Sequence, residues 1–468
     1  MKDAVINNSL LHLYRRAGFG SIPEKDISIK KAVSRLFQES ETFAPIKIVR
    51  SESEKTEMSD VMIPVSAVDM RKDRMRKNRE EIRDLNATWM SKMAQGENVL
   101  REQMSLFWHG HFACRSADSA AVESYLNTIR KNALGNFGTL LLEVSKEPAM
   151  LQFLNNQQNR KNKPNENFAR EVMELFTLGR GNYTEMDVKE GARAFTGWGF
   201  DGKGEFQFRE NLHDNKTKKF LGKEGDFRGE DIIKILLEQK QTARFVTGKI
   251  YRSFVSEVPD NQRINALAEG FYKSNYDISQ LMRTIFSADW YYENVSKAML
   301  IKSPVELVVG IQRTLGGAEF ADKEHVLYIQ KVLGQVLFYP PNVAGWPGGR
   351  NWIDSSSLLF RMQLPYLMAG VATPKVKAKE SGDVNDQTVK KKGENAKIKV
   401  DWSKWASRFG KISDEKLLPF LSAELLAVQP KPSVMTLISD KNKDIPDRTE
   451  RIRRLTLSIM SLPEYQIS

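Results

Sequence analysis

The stretch N-E-N-F-A-R-E-V-M-E-L-F-T-L-G-R-G-N-Y-T-E-M-D-V-K-E-G-A-R-A-F-T-G-W, residues 165–198, decides how the chain reads. It predicts two helices joined by a glycine-containing turn. With helical rotation taken from Phe168, the side chains of Val172, Leu175, Phe176 and Leu178 fall within one apolar arc. Glu171 falls at about 300°, between Leu178 and Leu175, on the buried side of the wheel. Glu174 lies at the edge of the arc, and Arg170, four residues earlier, is placed for an i,i+4 pair. A carboxylate on a core face is costly unless it is paired or bound to a metal, which makes Glu171 the most informative residue of the chain. Thr184 and Asp187 have the spacing of a capping box at the start of the second helix.

Outward from this pair, helical periodicity covers residues 9–20 and 26–38. Residues 45–66 are polar and aperiodic. A long charged helix follows over 71–85. It becomes amphipathic through Trp89, Met93, Leu100, Met104 and Phe107, and runs into F-W-H-G-H-F at 107–112. Helical stretches cover 119–134 and 136–146, and Pro148 opens a short one. The one expected β element pairs 205–209 with 218–221 across a His213-Asp214 turn. Helices resume over 229–239, 241–255, 261–274, 277–287, 303–315 and 354–369. The sequence Y-P-P-N-V-A-G-W-P-G-G (339–349) reads as a loop. Residues 374–400 are Lys-rich and of low complexity, and 402–462 are helical. The expected fold is mainly α: a large multi-helix globular domain with one small β-hairpin and a helical C-terminal part. The expected divisions are N-terminal helices (1–43), a polar loop and charged helix (44–85), the main helical domain (86–370), a Lys-rich insert (371–401) and the C-terminal part (402–468).

Composition limits the function classes. The net charge is +12, but residues 371–400 carry eight Lys against four acidic residues, so about a third of the excess belongs to a solvated insert. With no nucleic-acid motif beside it, this charge gives little support to nucleic-acid binding. A single cysteine, Cys114, rules out an intrachain disulfide and a thiolate metal cluster. The N-terminal residues show no export signal, and no apolar run is long enough to span a membrane, so the expected protein is soluble and cytoplasmic, with a periplasmic or exported location as the alternative. Serine-hydrolase, P-loop and dinucleotide fingerprints are absent.

The chemistry-bearing groups cluster in a few segments. His109 and His111 flank Gly110. On a continuous helix they point about 200° apart and cannot share an ion, but a helix end at Gly110 relaxes that limit. His213 and Asp214 lie in a polar turn. Together with Glu171 and Glu174 these groups form a nitrogen/oxygen donor set suited to a divalent Zn, Fe or Mn, with His109, His111 and His213 as ligands. Glu171, Glu174, Arg170 and Asp214 are then the catalytic candidates. Without a metal, a buried Glu171 with a raised pKa is an acid/base candidate. The structural alternative is a Glu171 ion pair with Arg170 or Arg193. Trp346 and Asn342 of the Pro/Gly loop, with Trp198, are candidates for a substrate-binding wall.

At H-L-Y-R-R-A-G-F-G (12–20), F-W-H-G-H-F (107–112), N-F-A-R-E-V-M-E-L-F-T-L-G (167–179), Y-T-E-M-D-V-K-E-G-A-R-A-F-T-G-W (183–198), H-D-N-K-T-K-K-F-L-G (213–222), S-P-V-E (303–306) and P-P-N-V-A-G-W-P-G-G (340–349), the chain resembles a widespread bacterial family. That family is labelled domain of unknown function eighteen-hundred. The resemblance implies a large, mostly helical protein and no established activity. Many relatives carry His where this chain has Phe176, and many are exported and encoded beside a sulfatase-like partner, which the resemblance implies as a partner here. The leading expectation is a metal-dependent enzyme acting on a polar or polymeric substrate, a glycan or cell-envelope component. The alternative is a non-catalytic scaffold whose His/Glu/Arg network is structural.

Overall fold

Several helix starts coincide with side chains that accept the first free backbone N–H groups. In the computed structural model, which describes residues 7–24, 26–49, 67–293, 300–320, 322–371 and 397–468, Asn7 caps α1 (Asn8–Ala17) and Ser28 caps α2 (Ile29–Glu39). The charged stretch forms α3 (Ala67–Gln95), and α4 (Val99–His111) follows. The sequence predicts one continuous run here, and the structure breaks it at Gly96. A Cβ at Gly96 would lie 2.6 Å from the Lys92 carbonyl oxygen. Arg313 donates to the carbonyls of Met93 (2.8 Å) and Gly96 (3.1 Å), so a distant side chain satisfies the orphaned end of α3.

Next come α5 (Ser119–Asn132), α6 (Phe137–Lys146) and α7 (Pro148–Phe153), the last opened by Pro148 as expected. The central stretch forms α8 (Asn167–Glu171), which continues as a π-helical turn over Val172–Thr177. The predicted capping box of Thr184 and Asp187 starts α9 (Glu185–Ala194). A π turn advances more slowly in angle than an α turn, so the α-helical wheel fails beyond Glu171. Glu171 and Leu175 are half-buried rather than core residues, whereas Met173 is buried.

The β structure also differs from expectation. β1 (Trp198–Phe200) pairs with β2 (Phe206–Phe208), and β3 (Lys218–Phe220) pairs with β4 (Lys223–Gly225), both antiparallel. Among the described residues there are thus two short hairpins, and segments 205–209 and 218–221 each pair with a nearer partner, closing a shorter loop. The chain continues through α10 (Gly229–Glu238), α11 (Lys240–Phe254), α12 (Asn261–Lys273) and α13 (Ile278–Phe286). After α14 (Pro304–Thr314) comes α15 (Lys323–Leu333), in a stretch to which the sequence analysis assigns no element. The remaining helices are α16 (Ser355–Met368), α17 (Trp402–Ser407), α18 (Asp414–Leu425), α19 (Pro432–Asn442) and α20 (Arg448–Met460). The fold is mainly α. Most of the Lys-rich stretch (372–396) and much of the polar one (50–66) lie outside the described residues.

Apolar side chains gather in two cores. One joins α1, α2 and one face of α4 to the helices from α5 to α13, with Trp108, Phe137, Phe168 and Phe195 at its centre. The other joins α3 and the opposite face of α4 to α14–α20, around Trp89, Phe338 and Phe360. Helix α4 therefore serves both. Its Glu102 is buried and accepts from Arg130 of α5 (2.7 Å) and from the Trp89 indole of α3 (2.8 Å). Both partners of the Glu102–Arg130 pair are almost fully excluded from water. Removing one would leave the other charge uncompensated. Glu102→Ala is expected to destabilise the fold by about 3–5 kcal/mol, read as a loss of unfolding free energy in urea.

Candidate functional site

Each sequence-predicted residue has a definite setting. Arg170 pairs with Glu185 (2.7 Å) and Glu166 (3.2 Å) rather than with Glu171 or Glu174. Glu174 accepts from Arg180 (3.1 Å) and from the Tyr183 hydroxyl. Burial and the nearby Glu174 charge raise the pKa of Glu171 above the ordinary carboxylate value. Asp214 pairs with Arg193 (2.8 Å), which also holds Glu190 (2.9 Å). His213 is buried, its Nδ1 bonded to the Thr196 carbonyl (2.8 Å) and its ring set edge-on to Phe208. Burial, more than any neighbouring charge, lowers its pKa. Trp198 is buried among Phe168, Phe195 and Phe206. The exposed Asn342 carboxamide oxygen accepts from the Ala344 amide inside its own turn.

The two α4 histidines point apart because the helix runs on through His111. His109 enters an aromatic cage of Trp89, Tyr125, Phe338 and Trp346, and stacks on Trp346 with ring centres 5.2 Å apart and planes 19° from parallel. Burial alone pushes its pKa down to about 3. His111 faces the other way, its Nε2 3.2 Å from the Phe176 carbonyl and its Nδ1 3.2 Å from Lys249 Nζ. Among the described residues no three His, Cys, Asp or Glu side chains gather where one ion could be held. The histidine and carboxylate segments thus occupy separate settings.

Other residues do converge. A cavity of about 630 Å³ lies where the two cores meet. Arg15 and Arg16 of α1, Gln103 and His111 of α4, and Lys249 and Arg252 of α11 line it. Glu257, Ser303, Glu306 and the 344–352 segment also line it, with apolar groups such as Leu106, Phe107 and Phe254 between them. Four of the motif blocks quoted above supply walls: 12–20, 107–112, 303–306 and 340–349. The block at 167–179 supports the site from behind, since its Leu175 and Phe176 carbonyls bond Lys249 (3.0 Å) and His111. These carbonyls lie at a helix end, where no intrahelical donor reaches them. No residue of 165–222 lines the cavity.

The loop 339–349 is held over the end of α4. Gly345, at φ +82°, comes so close that an added Cβ would meet the Gly110 carbonyl oxygen at 2.5 Å. This lets Trp346 lie flat on His109 while still bordering the cavity.

The cavity is electrostatically lopsided. Arg16 is buried, Arg15 donates to the carbonyls of Glu424 and Leu426, and Lys302 donates to that of Tyr465. Burial lowers the pKa of Arg15, Arg16 and Arg361 to about 10 and that of Lys302 to about 7. Glu306 is the carboxylate that favours the charged forms of Arg16, Lys302 and Arg361, yet its own oxygens accept from Gln103 (2.6 Å) and the Ser303 amide (2.8 Å). The carboxylate of Glu424 pairs with Arg408 (2.7 Å) and also favours the charged form of Arg15. Residue type alone does not single out Arg15, Arg16 and Lys249. The available signal is a cation beside buried apolar positions, Arg16 in α1 among Leu13 and Ala17, and Lys249 in α11 between Val246 and Ile250.

The neutral His109 gives a test of its setting. Its folded pKa lies below the ordinary 6.5, so between those values the unfolded chain binds more protons and stability falls on acidification. Wild type is expected to lose about 2 kcal/mol more than His109→Phe between pH 7 and pH 5, measured by urea unfolding at each pH.

Among the described residues no helix is long and apolar enough to cross a membrane. No curated protein and no solved structure matches the chain. The model of the family described as "Protein of unknown function (DUF1800)" matches residues 12–467, and the chain belongs to that family.

Proposed function

We propose that this protein binds, and acts on, an anionic ligand with exposed ring faces, an acidic glycan or cell-envelope fragment, in the cavity between the two cores. The observation that carries this reading is the excess of cationic over acidic side chains on the cavity wall. Arg15, Arg16, Lys249, Arg252 and Arg350 line it, against the carboxylates of Glu257 and Glu306. A wall of one predominant sign attracts a ligand of the opposite sign. Guanidinium groups hold carboxylate, sulfate and phosphate oxygens through paired hydrogen bonds. Trp346 and Trp352 supply flat apolar walls of the kind that receive sugar rings. The volume suits a ligand of a few rings.

A non-catalytic scaffold is the second reading. It is favoured by Glu174, Arg170, Arg193 and Asp214, whose charges are matched by structural partners.

Calorimetric titration with an oligosaccharide of uronic acids and with a neutral one of equal length tests the first reading. The acidic ligand is expected to bind, more weakly as salt rises, and the neutral one not to bind. Arg16→Gln and the exposed-site Arg350→Gln are each expected to weaken binding by about 10–100-fold. Absence of binding by the acidic oligosaccharide, sulfate and phosphate alike would favour the scaffold.

A further inference from the structure

We propose that Lys249 is a nucleophilic amine that forms an imine with a carbonyl-bearing anionic ligand of this cavity. The inference rests on the anion-binding reading above and names the chemistry of the same site. Helix α11 places the Lys249 side chain on the cavity wall. Its Nζ is held by two uncharged acceptors, the Leu175 carbonyl at 3.0 Å and His111 Nδ1 at 3.2 Å. Lys218, by contrast, is buried but paired with Asp226 at 2.8 Å. Lys302 does not line this cavity.

The two acceptors owe their positions to the π-helical turn and to one tautomer of His111. Carbonyl 176 can only accept, so His111 Nε2 carries the proton and Nδ1 presents a lone pair to Lys249. The charged groups that share the cavity lining with Lys249 are mostly cations: Arg252 on its own helix, Arg15 and Arg16 of α1, and Arg350. Glu257 and Glu306 are the carboxylates that share the lining. Burial first, and Arg252 second, push the Lys249 pKa down to about 8. An amine in this range is partly free at neutral pH, whereas an ordinary surface lysine is almost wholly protonated.

The step balances without an oxidant. The free Nζ lone pair attacks the carbonyl carbon, forming C–N while the C=O π pair moves onto oxygen. His111 Nδ1 takes the two protons of the attacking nitrogen in turn and passes each to the departing oxygen. Water leaves as C=N forms, so amine and carbonyl give imine and one water. Arg15 and Arg16 orient the ligand through its anionic group.

The test uses the full chain at pH 7 with 4-carboxybenzaldehyde, cyanoborohydride to reduce any imine to a stable amine, and peptide mass spectrometry to locate it. The uncharged methyl ester of the probe is run in parallel. Lys249 is expected to be labelled about tenfold or more faster than any other lysine, by the acid and not by the ester, with sulfate slowing the reaction. Labelling spread evenly over the lysines would overturn the proposal, as would equal labelling of Lys249 by acid and ester. Because the readout is site selectivity within wild type, it does not depend on a variant folding. Lys249→Arg, checked by circular dichroism, should lose only the fast label. Acidic oligosaccharide binding without Lys249 labelling would refute this inference alone, whereas loss of both would refute the cavity reading beneath it.

Discussion

Much of the site's architecture depends on the close approach of two backbones, at Gly345 and Gly110. Any side chain at Gly345 would collide with the Gly110 carbonyl, and its backbone is left-handed besides. Because the contact is this near, Trp346 reaches the His109 ring and joins the 344–352 segment to the end of α4. That segment forms one side of the cavity, α4 another. The end of α4 in turn fixes His111, and through it the geometry around Lys249. Two glycines in sequence motifs more than two hundred residues apart thus set one wall of the site.

The second organising element is a tension between packing and charge. Helix α1 inserts Leu10, Leu11, Leu13 and Ala17 into the core and carries Arg15 and Arg16 in with them. Carbonyl acceptors such as those of Glu424 and Leu426 satisfy hydrogen bonds but supply no countercharge. Hydrogen bonding and neutralisation are separate requirements, and on the cavity wall the cations outnumber the carboxylates of Glu257 and Glu306. The anion site proposed above would draw on that imbalance.

The sequence carried the helices, the capping box at Thr184 and the opening of α7 at Pro148, because these depend on neighbours a few residues away. It misplaced Glu171, since a wheel drawn at α-helical rotation cannot anticipate the π turn that begins at Val172. It missed the break at Gly96 because the group that stabilises it, Arg313, lies far along the chain. The candidate site followed the same division. His109, His111 and Trp346 were singled out as chemically unusual, and His111 and Trp346 do line the cavity. His213, Asp214 and Glu174 drew attention by residue type, yet their partners are structural. Arg15, Arg16 and Lys249 become conspicuous only when their surroundings are known.

The cavity's position at the seam of the two cores has a mechanical consequence. Arg16 and Lys249 belong to helices of the first core, whereas Glu306 belongs to a helix of the second, and the 344–352 segment shares the cavity wall with both. A ligand touching both sides acts as a cross-brace, and its binding energy adds to whatever already holds the halves together. At a hundredfold excess over its dissociation constant, such a brace contributes about 2.7 kcal/mol to the native state. On the anion-binding reading proposed above, ligand entry and structural reinforcement would be one event.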